Sequence, residues 1–212
     1  MKTRIKICGI TSAEDAVATL AAGADYLGLV FTESPRRLSL DQALAIRAAV
    51  PEADLVGVFR DEDPDVVAPF VTALRLRAVQ VEGWLDRVPW SLADVWHVLR
   101  FAALPEPSSL QMVPLRTYLL DAHDPSLPGG TGKRADTEWA SLAVRDGLRL
   151  FIAGGLKPEN VGELVRDIRP YGVDASTGLQ VASGRPGQKD PMKVRAFVEQ
   201  VRQADRDRPK RS

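Results

Sequence analysis

Cysteine is nearly missing from this sequence, which contains only Cys8 among its 212 residues. A lone cysteine excludes an intrachain disulfide, which argues against the disulfide-rich folds of small secreted proteins. The segment MKTRIKICGI lacks the apolar stretch of a signal peptide. We therefore expect the protein to work in a reducing cytoplasm.

Net charge is also missing, because 28 Lys and Arg residues balance 28 Asp and Glu residues. A balanced chain has no global field that would draw it to nucleic acid or to an anionic membrane. No apolar run approaches the roughly 20 residues that a membrane-spanning helix needs. We predict neither a nucleic-acid partner nor a membrane partner, so any anion-binding site must be local.

Metal-ligand patterns and nucleotide-binding loops are absent as well. Only His97 and His123 are present, and no set of His, Cys and carboxylate residues has ligand spacing. The segment CGITSA lacks two glycines of a dinucleotide-binding turn, and in GGTGKR an arginine follows the lysine where a P-loop needs Ser or Thr. These absences argue against a metal centre and against nucleotide triphosphate binding.

Short apolar runs recur along the chain, and their composition indicates β-strands. They are continuous instead of alternating, which is typical of a parallel sheet covered on both faces. Their ends fall about 20–30 residues apart, the size of a βα unit. Eight such runs are present: RIKIC, YLGLVF, DLVGVF, AVQVE, WHVLRF, TYLLD, RLFIAG and VDAS.

Helix-start signals lie between these runs. Thr11 with Glu14, and Ser39 with Gln42, have the spacing of capping boxes. Proline stands where a first helical turn tolerates it at Asp63-Pro64, Lys157-Pro158 and Asp190-Pro191. In the fourth and fifth units, prolines leave room only for a short helix or a loop.

Eight strands with intervening helices predict an α/β fold of the (β/α)₈ TIM-barrel type, with an open doubly wound sheet as the alternative. We expect one catalytic domain over residues 1–205 and a charged, frayed tail over residues 206–212.

Barrel enzymes carry their functional residues at the carboxyl ends of the strands. Cys8 ends the first run, Arg36 follows the second, Glu82 ends the fourth and Asp121 ends the sixth. Cys8 and Asp121 could therefore act on opposite ends of one small substrate as a base and an acid. From the residues alone, core packing remains the commoner role for a cysteine in an apolar strand.

Three glycine-rich loops follow the last strands. AGGLKPEN and ASTGLQ, after the seventh and eighth runs, favour a phosphate site over simple tight turns. The residues expected to bind substrate there are Gly154, Gly155, Ser176, Thr177 and Gly178. The loop after the sixth run, with Gly130 and Gly132, is interpreted as closing over the substrate, an inert flexible loop being the alternative.

Seven segments in this order resemble the phosphoribosylanthranilate isomerase family of tryptophan biosynthesis, over residues 4 to 200. They are KICGIT, LGLVFTESPRRLS, VGVF, YLLDAHDPSLPGGTGK, AGGLKPENV, VDASTGLQ and PGQKD. The resemblance implies a barrel without metal or organic cofactor that performs an Amadori rearrangement of a phosphorylated small molecule. We expect a monomer or a homodimer.

By motif position, the resemblance implies that Cys8 is the general base and Asp121 the general acid. It implies that Arg36 binds the anthranilate carboxylate, for which a planar guanidinium is well suited. Lys6 and Arg37 are nearby cations that could assist.

The chain departs from the family pattern at two positions: Glu82 replaces the usual histidine, and Gln180 replaces the usual glutamate. We expect Glu82 to add negative charge to the mouth, and we hypothesise that the loss of a carboxylate at Gln180 compensates for it.

Two other functions stay open at this point. The related histidine-pathway aminoaldose isomerase, or a dual-substrate version of it, uses an aspartate where this chain has Cys8. A non-catalytic phosphate-binding barrel is the remaining alternative.

Overall fold

A computed structural model describes residues 2–82, 93–100, 104–110, 117–121 and 133–207 of the chain. Its β-strands close into a barrel in chain order, and every pairing is parallel. The strands are β1 (Arg4–Cys8), β2 (Tyr26–Val30), β3 (Leu55–Val58), β4 (Ala78–Val81), β5 (Asp94–Arg100), β6 (Thr117–Asp121), β7 (Arg149–Ala153) and β8 (Gly172–Ala175). The pairing of β1 with β8 closes the barrel and excludes the open sheet.

Helices connect the strands as predicted. They are α1 (Ala13–Ala21), α2 (Leu40–Ala49), α3 (Pro64–Leu74), α4 (Pro107–Leu110), α5 (Lys133–Arg145), α6 (Pro158–Ile168) and α7 (Pro191–Arg206), with a 3₁₀ turn at Thr177–Leu179. Within residues 104–110, the described part of the fifth unit, the four-residue α4 agrees with the short helix expected there. Residues 83–92 of the fourth unit lie outside the described residues. No helix in the described ranges has the length and apolar character needed to cross a membrane.

Helix starts follow the predicted caps, with one exception. Ser39 and Gln42 form the expected capping box, and Asp63 and Asp190 cap α3 and α7. The Thr11 prediction is wrong, because Ser12 caps α1 by accepting a hydrogen bond from the Asp15 amide at 3.1 Å.

The physical reason for this exception is tertiary. The Thr11 hydroxyl donates to the Pro186 carbonyl at 3.3 Å and accepts from Arg185 at 2.9 Å. Arg185 also donates to Ser12 Oγ at 2.9 Å, so the contact that Thr11 alone makes is its bond to the Pro186 carbonyl. That bond directs the Thr11 hydroxyl to the segment before α7, and Ser12 starts the helix from an extended backbone.

The barrel interior has two kinds of layer, because successive side chains of a strand point to opposite faces. Ile5 and Ile7 of β1 pack outward in the cluster between sheet and helices. The lower interior is apolar, and Trp96 stacks on Phe151 with ring centroids 4.5 Å apart. Above it, the buried side chains include polar ones: Lys6, Gln80 and Asp174. The barrel is therefore filled below and polar at its carboxyl-terminal mouth.

Candidate active site

Cys8 and Asp121 lie at the carboxyl-terminal mouth of the barrel. Cys8 ends β1 and is half-buried, and Asp121 ends β6 and is also half-buried. Asp121 lies on the same face of β6 as Leu119, which packs in the interior cluster. The strands thus direct both side chains toward the space enclosed by the mouth.

Gly28 of β2 gives the Cys8 sulfur its room. The two residues are partners in the β1–β2 register. A Cβ atom added to Gly28 would lie 2.9 Å from Cys8 Sγ and 3.0 Å from Cys8 Cα. The absence of a side chain at Gly28 is therefore what allows the sulfur to occupy this place.

Arg36 lies beside Cys8, across the backbone of Gly9. Gly9 has a φ of +73°, which favours glycine. A Cβ atom there would lie 2.5 Å from Arg36 Cδ and 3.2 Å from Ser176 Oγ. Arg36 is half-buried, whereas Arg37 is exposed. The fold therefore brings Arg36 to the mouth next to Cys8 and Ser176, and leaves Arg37 outside.

Lys189 is a cation at Cys8 to which the sequence patterns assigned no role. Its Nζ donates to the Cys8 carbonyl at 2.7 Å, and Ser176 Oγ donates to the same carbonyl at 3.0 Å. Burial and repulsion from Arg36 lower the pKa of Lys189 from 10.5 to about 8, against attraction from Cys8 and Asp174. The only signal in the sequence was its place in the segment PGQKD.

Lys6 lies beneath Cys8 and is fully buried. Its Nζ pairs with Asp174 Oδ2 at 2.8 Å. Burial alone would lower the pKa of Lys6, but attraction and hydrogen bonding to Asp174 and Cys8 raise it above its ordinary value. Of the two cations expected near Cys8, the structure therefore places Lys6 there and not Arg37.

The loops after β7 and β8 lie against each other. Gly154 and Gly155 have φ values of +95° and +64°, and a Cβ atom at Gly155 would meet only open space. A Cβ atom at Gly178 would clash with the Leu156 carbonyl oxygen. Glycine therefore keeps the two loops close and leaves space beside Gly155, and the phosphate site itself stays a prediction.

The side chains of Ser176 and Thr177, two other expected binding residues, have different surroundings. The Ser176 hydroxyl is bonded to the Cys8 carbonyl, whereas Thr177 is exposed. Gly130 and Gly132 lie outside the described residues. Among the residues that the structure describes, no group of three or more His, Cys, Asp and Glu side chains could hold a metal ion.

The family of the chain follows from a match to a family model. Residues 5–200 match the model for N-(5'phosphoribosyl)anthranilate (PRA) isomerase. The chain belongs to the phosphoribosylanthranilate isomerase family. This match confirms the resemblance, and with it the expected class, an isomerase of tryptophan biosynthesis.

Relatives and solved structures of this family cover almost the whole chain. An N-(5'-phosphoribosyl)anthranilate isomerase of Trichlorobacter lovleyi is 39% identical over 208 residues, covering 95% of this chain and 98% of the relative. The Thermotoga maritima phosphoribosyl anthranilate isomerase structure has a TM-score of 0.78 and 32% identity, covering 95% and 99% of the two chains.

One solved family member carries a ligand. It is a phosphoribosyl anthranilate isomerase in complex with reduced 1-(O-carboxyphenylamino)-1-deoxyribulose 5-phosphate. Its TM-score is 0.72 at 30% identity, and the similarity covers 95% of this chain and 99% of that one.

The phosphoribosylanthranilate isomerase pattern is altered at Glu82, and Arg100 offsets the change. Two hydrogen bonds join Arg100 to Glu82, from Nη2 to Oε1 at 2.6 Å and from Nε to Oε2 at 3.2 Å. Arg100 also pairs in register with Asp121 and is attracted to it. The negative charge expected of Glu82 is therefore matched by a neighbouring cation, and compensation through Gln180 stays a prediction.

Proposed function

We propose that this chain converts N-(5-phosphoribosyl)anthranilate into 1-(2-carboxyphenylamino)-1-deoxyribulose 5-phosphate, with Cys8 as general base and Asp121 as general acid. The observation that carries the proposal is the arrangement of the mouth. Cys8 and Asp121 end two separate strands, and Arg36 lies across the residue that follows Cys8. A thiol, a carboxyl group and a guanidinium thus lie at the same end of the barrel.

The proposed reaction uses one proton donor and one proton acceptor. Asp121 gives a proton to the furanose ring oxygen as the bond from that oxygen to C1′ breaks, which leaves an open-chain Schiff base. Cys8 then removes the proton from C2′, and the electron pair neutralises the nitrogen. The enolamine becomes the amino ketone when the proton of its hydroxyl moves to C1′. One proton enters and one leaves, so no oxidant or cofactor is required.

Binding would come from both anionic ends of the substrate. We assign the anthranilate carboxylate to Arg36, because a guanidinium can bind both carboxylate oxygens. The phosphate is assigned to the paired loops of Gly154, Gly155, Thr177 and Gly178, with Ser176 tying the second loop to Cys8. Gly130 and Gly132 stay predicted substrate contacts.

The test is turnover of the fluorescent substrate, made in situ from anthranilate and phosphoribosyl pyrophosphate. We expect Cys8→Ala and Asp121→Asn each to lower kcat by at least about 100-fold, as is typical for a removed acid or base. Arg36→Ala should mainly raise KM, with Arg37→Ala as its exposed, matched control. Unchanged kcat in both catalytic variants would refute the assigned roles.

We propose that residues 1–205 act as one catalytic domain, as a monomer or a homodimer in the cytoplasm. Sedimentation of the purified protein distinguishes the two assemblies. An assay with the histidine-pathway aminoaldose tests for a dual-substrate enzyme, which the cysteine at position 8 argues against.

A further inference from the structure

A buried ion pair fills the barrel interior directly below the mouth. The Lys6 side chain is 0% exposed, the Asp174 side chain is 7% exposed, and 2.8 Å separates their charged atoms. A buried ion pair is often no more stabilising than apolar residues of the same volume. Apolar side chains also dominate barrel interiors, as Val56 and Phe151 do in the lower layer here. The fold alone therefore does not explain a charged pair at this level.

Its position relative to Cys8 suggests a reason. Lys6 precedes Cys8 by two residues on β1, so both side chains lie on the inner face. The Lys6 ammonium is attracted to the Cys8 side chain, while the carboxylate of Asp174 holds it from β8 at 2.8 Å. The ammonium is thus fixed by a carboxylate on the strand face that also carries the sulfur.

The other cations near Cys8 are directed elsewhere. Lys189 donates to the Cys8 carbonyl and to the Ser176 carbonyl, at 2.7 and 3.4 Å. Arg36 lies across Gly9 with its side chain toward the mouth, where we assign it the substrate carboxylate. Of these three cations, Lys6 is the one that shares a face of β1 with Cys8 and is held there by a buried carboxylate.

The acidic groups around the mouth come from three further elements. Asp15 of α1 is paired with Arg185 at 3.2 Å, and Glu82 after β4 is paired with Arg100 at 2.6 Å. Asp121 ends β6, where Arg100 attracts it. A cation thus accompanies each of these acidic groups, and Asp174 is the one that fixes Lys6.

We infer that Lys6, held by Asp174, is a positioning residue that acts through Cys8 by keeping its sulfur in the thiolate form. The thiolate is the form of cysteine that can accept a proton, and a close cation favours it. The inference rests on the proposed role of Cys8 as the general base. It assigns the buried pair to the chemistry of the site instead of to the stability of the barrel.

The single cysteine of the chain makes this inference directly measurable. Iodoacetamide alkylates thiolates, so its rate of reaction with the substrate-free protein reports on Cys8 alone. We expect Lys6→Met to slow the alkylation of Cys8 about tenfold near pH 7. Near pH 10, where an ordinary cysteine is ionised, the variant and the parent should be alkylated at the same rate. Lys6→Arg keeps the charge and should retain most of the parent rate near pH 7.

Arg4→Met is the matched control. Arg4 is also a β1 cation, but it pairs with Asp25 at 3.0 Å at the opposite end of the strand. Its alkylation profile should equal that of the parent. If Lys6→Met shows the parent profile as well, the inference is overturned.

A double variant keeps the test valid if Lys6→Met does not fold. Lys6→Met with Asp174→Leu replaces the pair with apolar residues, a change that often preserves stability. We expect this double variant to unfold cooperatively and still to be alkylated more slowly than the parent near pH 7. A folded double variant with the parent rate would contradict the inference.

Kinetics separate this inference from the proposed function. For Lys6→Met, the acid limb of the pH profile of kcat/KM should move to higher pH, and kcat/KM near pH 7 should fall about tenfold. If Cys8→Ala keeps full activity, the proposed function fails, although the alkylation result for Lys6 would stand. If Cys8→Ala is inactive but Lys6→Met is alkylated like the parent, only the inference about Lys6 fails.

Discussion

The Nζ atom of Lys189 lies 2.7 Å from the backbone carbonyl oxygen of Cys8, a residue 181 positions away in the chain. Ser176 Oγ donates to the same oxygen at 3.0 Å. Two groups from beyond β8 therefore hold the end of β1, and one of them is a buried cation close to Arg36. This contact joins the proposed base, the proposed carboxylate site and the proposed phosphate loop.

Substrate binding should weaken above about pH 8 through Lys189. Because the pKa of Lys189 is about 8, the side chain loses its positive charge as the pH rises above that value. The substrate is an anion, so KM should rise as the pH passes through that value. In Lys189→Arg, which stays charged, the rise should be absent. Steady-state kinetics from about pH 7 to 9.5 measure it, and an equal rise in both proteins would rule out Lys189 as its cause.

Lys189 should also give stability a pH dependence of known sign. Its pKa is about 8 in the folded protein and 10.5 ordinarily, so the unfolded chain binds more protons between these values. Stability then rises with pH in this range. Chemical denaturation should show a more positive slope of unfolding free energy against pH for the parent than for Lys189→Met. Parallel slopes would contradict the assignment.

Gly28→Ala should reduce activity more than the loss of stability explains. The added methyl group would lie 2.9 Å from Cys8 Sγ and would displace the sulfur. We expect kcat to fall at least about tenfold, with a destabilisation of about 1–3 kcal/mol from overpacking. Gly172→Ala is the control, because its methyl group would meet Phe151 in the lower interior. It should lose stability with kcat unchanged, and equal kcat losses in the two variants would argue against a specific effect on Cys8.

Glu82→Gln should lower kcat by releasing Arg100. Without its partner at 2.6 Å, the Arg100 cation is left with Asp121 as its acidic neighbour at the strand ends. Arg100 can then donate to the Asp121 carboxyl group and take that group away from the substrate, and we expect kcat to fall about 3- to 10-fold.

Adding Arg100→Met to Glu82→Gln should restore part of this kcat, because the uncompensated cation is then removed. Asp94→Asn is the control, since its pair with Arg77 at 3.2 Å lies at the other end of β4 and β5. Its kcat should be unchanged. A double variant slower than Glu82→Gln alone would show that Arg100 itself serves the reaction.

Arg202→Leu should destabilise the barrel without changing its kinetics. From α7, Arg202 donates to the Thr3 carbonyl at 2.6 Å and pairs with Asp25 at 3.0 Å, which ties the last helix to the start of β1. We expect a loss of about 1–3 kcal/mol, because polar partners are left unsatisfied.

Thermal unfolding tests this loss against Arg206→Leu, an exposed residue of the same helix that bonds only to Gln203 among the contacts described. The control should change stability by less than about 0.5 kcal/mol. Equal effects would show that the Arg202 contacts contribute little.

Much of the fold was predictable because it depends on local pattern. Continuous apolar runs specify strands buried on both faces, and prolines and capping residues mark helix starts, as at Ser39 and Asp190. Thr11 shows the limit of that reasoning. Its hydroxyl is engaged by Pro186 and Arg185, which no local pattern reveals, and the cap moves to Ser12.

The sequence by itself determined the eight strands and the placement of Cys8 and Asp121 at strand ends, because side-chain alternation and hydrophobic run length are properties of short segments. Closure of the barrel decided the rest. It placed Lys189 on the Cys8 carbonyl, Asp174 against Lys6, and Arg100 against Glu82. These partners lie on different strands and loops, so only the tertiary structure brings them within hydrogen-bonding distance. For Lys6 and Lys189, burial then makes each charge depend on its neighbours.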